Sequence, residues 1–269
     1  AEVAQAAAAI AGGRLETRLG EVEDADLAIL VSSFNSMVDA LQMRIERDAR
    51  FASDVSHELR SPLTTLATTV GVLVGRRDEM PERARAALDL LEADVSRFQR
   101  LVEDLLEISR FDAGVAELHR EEVRLGELVR RAVASAGSYL PVAFSPGAEH
   151  LTVEIDKRRL ERVIANLVEN ASFYGGGVTA VRVERGRTVA RIAVMDNGPG
   201  VPEEEREAVF RRFFRGSASG RRRSGGKGSG LGLALVAEHI RLHGGRVWVE
   251  DGAGGTGACF VVELPVGPQ

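Results

Sequence analysis

Apolar residues recur at steps of three and four along the stretch from Phe51 to Leu73. This spacing predicts a long amphipathic helix with one buried seam. His57 lies two residues from both Val55 and Leu59, so at ~100° per residue it is turned about 200° away from that seam. The seam residues are Phe51, Val55, Leu59, Leu63, Leu66, Val70 and Leu73.

The neighbours of His57 decide whether it is more than a solvated histidine, which is the usual role of a lone His on such a helix. Glu58 follows it directly, and Ser61, four residues on, shares its face. Pro62 cannot donate a backbone hydrogen bond to the Glu58 carbonyl, which favours a bend there.

Composition excludes several classes of protein. A net charge of −5 is too mild to suggest direct nucleic-acid binding. Cys259 is the only cysteine, so no internal disulfide is possible and a reducing compartment is expected. No apolar run approaches the ~20 residues of a membrane helix. The Ala-rich start lacks Met and a signal peptide, and it is interpreted as the cut end of a longer protein.

Further helices flank the His57 stretch. A helix is expected over residues 1–11, an extended stretch over 14–23, and another helix from about Asp24 or Asp26. The apolar seam of that helix is heptad-like until two consecutive four-residue steps break its phase near Ile45. An ordinary coiled coil is an alternative explanation of this seam. Its members are Leu27, Leu30, Phe34, Met37 and Leu41.

A short break at 76–81 separates the His57 helix from another long helix, expected from about Glu82 to Arg110. Two such helices form an antiparallel hairpin that cannot bury both seams alone. Pairing two hairpins gives a four-helix bundle, so a homodimer is expected. The second seam consists of Leu88, Leu91, Val95, Phe98, Val102 and Leu105.

After Leu118 short β-branched runs alternate with helical stretches, which predicts a mixed α/β domain. Helices are expected over 125–136, 157–173 and 231–243, and strands over 151–155, 178–184, 188–195, 246–250 and 258–264.

Four clusters in this region suggest chemistry, although each alone is weak. In N-L-V-E-N-A, Asn166 and Asn170 lie one helical turn apart, where two amide oxygens could reach one Mg²⁺. Asp196 opens D-N-G-P-G directly after a strand. An aromatic and Arg-rich helix end covers 209–215. Glycines over 226–232 precede a helix, where backbone N–H groups can approach phosphate oxygens.

Taken together, these motifs resemble sensor histidine kinases. H-E-L-R-S-P-L resembles the H-box, and the four clusters resemble the N, G1, F and G2 boxes in family order. G-R-L-E-T-R-L and the helix after it resemble the second half of a HAMP domain. The resemblance implies a multidomain chain: a partial HAMP relay over 1–48, a dimerisation and phosphotransfer domain over 49–114, and a catalytic domain over 115–269. The last is expected to be an α/β sandwich of the gyrase, Hsp90 and histidine-kinase type.

The resemblance also implies roles for individual residues. Asn170 should bind Mg²⁺ with help from Asn166, and Asp196 should accept from the adenine amino group of ATP. Phe173 stands where many members carry Lys, so a phosphate contact is absent or supplied elsewhere, for instance by Lys227. The run 216–226 should form a lid. The other expected ATP-binding residues are Tyr174, Gly198, Gly200, Arg215, Gly228, Gly230, Leu231 and Gly232.

The implied reaction transfers the γ-phosphoryl group of ATP to His57, with Glu58 stabilising the imidazole, and then to an aspartate on the receiver domain of a response regulator. Ser61 would support a weak reverse phosphatase. The implied location is the cytoplasmic part of a membrane sensor. Two alternatives remain: a hydrolytic ATPase, disfavoured because Asn166 stands where those enzymes carry Glu, and a nucleotide-binding scaffold without kinase activity.

Overall fold

The helix predicted around His57 is part of a longer one, α1, which spans Ala25–Val74. This computed structural model describes residues 5–6, 9–10, 16–20, 24–114, 116–138, 140–216 and 228–266. Asp24 caps the start of α1, because its Oδ1 accepts from the Leu27 N–H at 3.1 Å. The predicted start of this helix is therefore confirmed. Most of the helix expected over 1–11, and the side chain of His57, lie outside the described part.

Contacts divide the chain into two units, residues 1–62 with 109–116 and residues 63–108 with 117–269. In the first unit, the extended segment at 16–20 is tied to α1. The Asn35 amide accepts from the Leu19 N–H at 3.0 Å and donates to the Leu19 carbonyl at 3.1 Å. Arg18 adds an ion pair with Asp39 at 2.7 Å. Helix α1 continues through Pro62, so the expected bend does not break it.

The second unit begins with a helical hairpin. A 3₁₀ turn at Arg77–Glu79 joins the end of α1 to helix α2, Glu82–Asp112. Arg77 makes a bidentate contact with Asp89, with nitrogen–oxygen distances of 2.8 and 2.7 Å. The Gln99 amide donates to the Leu63 carbonyl across the hairpin at 3.4 Å. The break expected at 76–81 is therefore confirmed.

The rest of this unit is an α/β sandwich. Its helices are α3 (Leu125–Ser135), α4 (Lys157–Tyr174) and α5 (Gly232–Leu242). A five-stranded sheet has the order β2-β4-β5-β7-β6, antiparallel except for the β2–β4 pair. Strands β1 and β3 form a separate antiparallel pair. The strands are β1 (Glu121–Arg124), β2 (Val142–Phe144), β3 (Thr152–Ile155), β4 (Val178–Arg185), β5 (Val189–Asp196), β6 (Arg246–Asp251) and β7 (Ala258–Pro265).

One apolar core joins the three helices to the inner face of the large sheet. Along β5, Ala190, Ile192 and Val194 alternate with more exposed residues, as a strand covered on one face requires. The same alternation turns Asp196, the last residue of β5, toward the helix-covered face. The Asp196 carboxylate therefore lies at the edge of the core, at the end of β5.

The predicted fold class, a helical region followed by an α/β sandwich, is confirmed. After Leu118 the predicted helices and strands agree with the structure to within one or two residues at each end, and β1 and β2 are additions. Before it, the helix expected from Asp24 or Asp26 and the helix around His57 are one continuous helix, α1. The aromatic segment at 209–215 holds only a 3₁₀ turn, Ala208–Phe210, and not the end of an α-helix. None of the described helices combines the length with the hydropathy that a bilayer crossing demands.

Candidate functional site

Asp196 is 7% exposed and occupies the end of β5. Its Oδ1 accepts two backbone hydrogen bonds, from Gly198 N–H at 2.9 Å and from Ala258 N–H at 3.0 Å. No described residue donates to Oδ2. The first oxygen is fixed by the fold, and the second is left as an acceptor for a ligand.

Glycines make room for this carboxylate. A methyl group added to Gly175 would overlap the Asp196 side chain, and one added to Gly198 would lie 2.7 Å from the Gly175 Cα. The Asn197 N–H donates to the Gly175 carbonyl at 3.1 Å. The D-N-G turn and the end of α4 are therefore packed backbone to backbone, which only glycine allows.

Helix α4 brings the two asparagines and Tyr174 to the site. Asp156 caps it, accepting from the Arg159 N–H at 3.1 Å. Its buried residues recur at steps of three and four, which leaves Asn166, Asn170 and Tyr174 on an adjoining, half-buried stripe. The Nδ2 atom of Asn166 is buried, and no described residue accepts a hydrogen bond from it. An unsatisfied buried donor of this kind is a reason to expect a ligand.

The glycine-rich segment closes the site from the other side. A side chain at Gly228 would overlap the Tyr174 hydroxyl, so the backbone passes directly against that ring. The Gly230 carbonyl accepts from the Phe213 N–H at 2.9 Å, and Phe213 has a left-handed φ of 59°. Gly232 opens α5, and Leu231 just before it is fully buried in the core.

These elements enclose one cavity of about 690 Å³. It gathers most of the predicted cofactor residues: Asn166, Asn170, Tyr174, Asp196, Gly200, Arg215, Gly228, Gly230 and Gly232. Gly198 and Leu231 do not line it: Gly198 donates to Asp196 in the turn, and Leu231 is buried in the core. Lys227 and nearly all of the expected lid lie outside the described residues.

Helix α2 forms a wall of this cavity that sequence reasoning did not anticipate. Eight of its residues between Ala93 and Asp104 line the cavity. Asp104 bonds Arg162 at 2.7 Å, and Glu107 pairs with Arg162 at 2.6 Å and with Arg159 at 3.5 Å. Burial raises the pKa of Asp104, and the bond from Arg162 opposes that rise.

Two buried histidines extend this ionic cluster. His239 lies between Glu107, 3.4 Å from its Nε2, and Arg159, 3.4 Å from its Nδ1. Arginine can only donate, so Nδ1 accepts and the ring proton lies on Nε2. Burial, reinforced by Arg159 and Arg162, lowers the pKa of His239 to about 3.

The second histidine, His243, joins α5 to the start of α4. Its Nε2 accepts from the Asp156 N–H at 3.0 Å, so its proton lies on Nδ1, 2.7 Å from the His239 carbonyl. Burial lowers the pKa of His243 as well. Both rings are therefore neutral structural groups that connect helices.

The sequence does contain a signal for this missed wall. Arg97, Arg100, Asp104 and Glu107 follow one another at steps of three and four, which forms a charged stripe beside the apolar seam of α2. Helix α4 carries a matching basic stripe at Arg159 and Arg162. Charged stripes usually face solvent, and only their complementarity in charge indicates a contact.

The predicted catalytic residues lie on α1, in the first unit. His57 and Glu58 are helical, Glu58 is exposed, and Ser61 is exposed one turn further on. The structure therefore places His57, Glu58 and Ser61 on one helix and the expected nucleotide residues on another part of the chain. Their assigned roles stay predictions.

The fold is an α/β sandwich with a glycine-lined cavity and an attached helical region. Residues 155–268 match the family described as histidine kinase-, DNA gyrase B- and HSP90-like ATPase. Residues 47–114 match the His Kinase A phospho-acceptor domain, and residues 1–43 match the HAMP domain.

Individual relatives belong to the same families as these domain matches. The sensor histidine kinase MtrB of Mycobacterium tuberculosis is 37% identical over 271 residues, covering 95% of this chain and 47% of the relative. The histidine-protein kinase/phosphatase MprB of Mycobacterium sp. strain KMS is 37% identical over 256 residues, covering 90% and 48%. Full-length ShkA in complex with AMPPNP aligns at a TM-score of 0.63 and 25% identity, covering 82% of this chain and 46% of that one.

The chain belongs to the sensor histidine kinases, and the expected family is confirmed. It spans about half the length of the curated relatives it matches, 47% of MtrB and 48% of MprB.

Proposed function

We propose that this chain is the kinase region of a two-component sensor. It would transfer the γ-phosphoryl group of ATP to His57 and then to an aspartate on the receiver domain of a response regulator. One observation carries the proposal: a single cavity gathers Asp196, Asn166, Asn170 and the glycine-rich segment in a chain that also carries H-E-L-R-S-P on a helix.

The lining residues support one orientation for ATP. The free Oδ2 of Asp196 would accept the adenine amino group, beside the ring of Tyr174. The phosphates would then lie toward the start of α5, where Gly228, Gly230 and Gly232 expose backbone N–H groups. Arg215 also lines the cavity and is the proposed contact for the γ-phosphate. Leu231, Gly198, Gly200 and Lys227 would support this arrangement as neighbours in the two glycine motifs.

Mg²⁺ fits the same end of the cavity. The described residues hold no group of three or more His, Cys, Asp or Glu side chains placed for a metal, so an all-protein cage is not available among them. A metal bound by phosphates and one or two amide oxygens suits Mg²⁺. The buried Nδ2 of Asn166, which lacks an acceptor among the described residues, could donate to a phosphate oxygen while Oδ1 faces the metal. Asn170 and Asn166 would hold it, and when bound it neutralises phosphate charge.

The acceptor chemistry would use residues of α1. A neutral imidazole nitrogen of His57 attacks the γ-phosphorus, a nitrogen–phosphorus bond forms, and the bond to the β-phosphate oxygen breaks to release ADP. The ring becomes cationic as it attacks. Glu58, the exposed next residue, would stabilise that charge and take the proton from the other ring nitrogen.

A homodimer is supported by the two helical seams. Leu63 and Val70 of α1 are buried within the chain, whereas Leu59, Leu66 and Leu73 remain exposed. Helix α2 repeats this division, with Leu88 and Val102 buried and Leu91, Phe98 and Leu105 exposed. Within each set the residues are seven or fourteen apart, so one side of each heptad seam is left exposed for a partner helix. A second copy completing a four-helix bundle fits that division.

The wider setting follows from the family. The matched HAMP domain supports placing this region on the cytoplasmic side of a membrane sensor. We propose the divisions 1–48, 49–114 and 115–269 for the relay, the phosphotransfer and the catalytic domains. The expected partner is the receiver domain of a response regulator. This chain itself is not expected to bind nucleic acid directly.

Ser61 supports a second, weaker activity. The relative MprB is named a kinase/phosphatase, and Ser61 lies exposed one turn after His57. Its hydroxyl can orient a water molecule toward the acyl phosphate of a regulator. We therefore propose a low phosphatase activity on the same helix face.

Labelling with γ-labelled ATP and Mg²⁺ tests the main proposal. We expect label on the protein that survives base and is lost in acid, and a sharp loss of that label in Asn170→Ala. Release of phosphate without labelled protein would indicate the hydrolytic alternative. Nucleotide binding with neither product would indicate a signalling scaffold, and either result would overturn the kinase assignment.

A further inference from the structure

Helix α2 is held against the nucleotide cavity by a partly buried ionic cluster. Asp104 and Glu107 pair with Arg162 at 2.7 and 2.6 Å, and the side chains of the two acids are 15% and 19% exposed. Moving α2 away from α4 would leave these shielded charges without their partners, which is costly. The α2 wall of the cavity is therefore part of the folded arrangement of this unit.

Arg97 and Arg100 lie on the turns of α2 that precede Asp104, and both line the cavity. Steps of three and four residues place all three side chains along one face of the helix. Neither arginine makes a hydrogen bond or ion pair with another described residue. Their guanidinium groups are available to a ligand in the cavity.

The charge of the cavity lining favours a role for these arginines toward an anionic ligand. Six carboxylates line it, from Asp94, Glu103, Asp104, Glu169, Asp196 and Glu205, against four guanidinium groups. Of the four, Arg162 is already engaged by Asp104 and Glu107. Without Arg97 and Arg100, only Arg215 would remain among the described lining residues to face a polyphosphate.

We infer that Arg97 and Arg100 of helix α2 bind the polyphosphate of the nucleotide, so that the helical hairpin completes the nucleotide site. This inference rests on the proposed function, because it assumes that a nucleotide occupies the cavity. Guanidinium groups suit the role, since they stay charged and form paired hydrogen bonds to phosphate oxygens. Bound nucleotide would then join α2 to the α/β sandwich through its phosphates.

Calorimetry with the full chain tests this, using ATP, ADP and adenosine in the presence of Mg²⁺. We expect Arg97→Gln and Arg100→Gln each to weaken ATP binding roughly tenfold, the usual size of one charge-assisted contact. Adenosine affinity should stay within about twofold. The Lys variants should retain most ATP affinity, because they keep the charge. Arg83→Gln is the matched control, since Arg83 is an exposed residue of the same helix away from the cavity.

Each outcome decides the question. ATP affinity unchanged in the double Gln variant, or an equal loss for adenosine, would overturn the inference, as would Lys variants no better than Gln. The proposed function fails separately if the wild type binds no nucleotide or if Asp196→Asn leaves ADP affinity unchanged. A third result would reject only the role of helix α2. In that case the wild type binds nucleotide and Asp196→Asn weakens ADP binding, but the double Gln variant binds ATP as tightly as the wild type.

Discussion

The long helices and the α/β sandwich solve the burial of apolar surface in opposite ways. In the sandwich, residues such as Leu167 and Ile192 are at most 1% exposed, and the core closes within one chain. In the helices, Leu66 and Phe98 are each 51% exposed although both sit on regular heptad seams. The sandwich buries its apolar residues within one chain, whereas the helical region leaves half of each seam exposed.

The proposed chemistry is divided in the same way. The nucleotide residues belong to the part that is folded by its own core, where Asp196 is fixed by two backbone hydrogen bonds. The proposed phosphate acceptor, His57, belongs to the long helix α1. A site fixed by its own core can keep a bound nucleotide oriented, which the transfer step requires.

The largest expected effect separates these two regions. His57→Gln should abolish autophosphorylation, because no other nitrogen nucleophile replaces the ring, while ADP affinity by calorimetry stays near that of the wild type. Base-stable labelling of the protein provides the readout. Undiminished labelling of the variant would contradict the assignment of His57.

Breaking the seam should be the next largest effect. Leu66→Glu places a charge where two copies would bury an apolar residue, and an unpaired buried charge costs several kcal/mol. Light scattering after gel filtration should then show a monomer at concentrations where the wild type is a dimer. Val72→Glu is the control, since Val72 is 62% exposed and lies off the seam. If both variants stay dimeric, the proposed interface is wrong.

Within the sandwich, Asp196→Asn is the sharpest change to the nucleotide site. It keeps an oxygen for the Gly198 and Ala258 N–H groups and replaces the free acceptor by a donor. Losing one such hydrogen bond costs about 1.5–3 kcal/mol, so ADP affinity should fall about ten- to a hundredfold. An unchanged ADP affinity in the calorimeter would show that adenine binds elsewhere.

The ionic cluster at the α2 wall predicts a pH dependence of stability. The pKa of His239 is lowered to about 3, so between pH 6.5 and 3 the unfolded chain binds a proton that the folded chain does not. Its contribution is complete above pH 6.5 and is lost as the pH falls. Between pH 7 and 5 the free energy of unfolding should drop by about 2 kcal/mol from this group.

Other groups of the cluster modify that pH dependence. His243, whose pKa is also lowered, acts in the same direction, and Asp104, whose pKa is raised, opposes it. Urea unfolding at the two pH values measures the difference. His239→Gln should reduce the drop, and His150→Gln, which changes an exposed histidine, should not. An equal drop in all three proteins would mean that His239 titrates normally.

Periodicity and local motifs predicted most of the fold and most of the cavity. The helices and long strands were predictable because their apolar residues recur at 3.6 or 2 residues. Strand β1 was missed because three of its four residues, in E-E-V-R, are charged. Strand β2 has only three residues, too few to show a period.

The contact of α2 with the cavity could not be predicted from the local sequence for a different reason. Arg97 and Arg100 have the spacing and polarity of any solvated helix face, and their neighbour across the cavity, α4, is some 60 residues away. Such contacts are set by tertiary packing. His239 shows the same limit, since nothing nearby in sequence indicates that Glu107 and Arg159 enclose it.

The smallest expected effect concerns the exposed face of α1. Ser61 lacks the methyl group that restricts χ1 in Thr, and its hydroxyl can also turn toward a carbonyl of the preceding helical turn. Water is therefore oriented less often, and we expect Ser61→Thr to raise phosphatase activity a few-fold with little change in autophosphorylation. Decay of phosphorylated regulator with ADP measures it, with Ser61→Ala as the low-activity reference. Equal decay rates for wild type and the Thr variant would exclude this role for the hydroxyl.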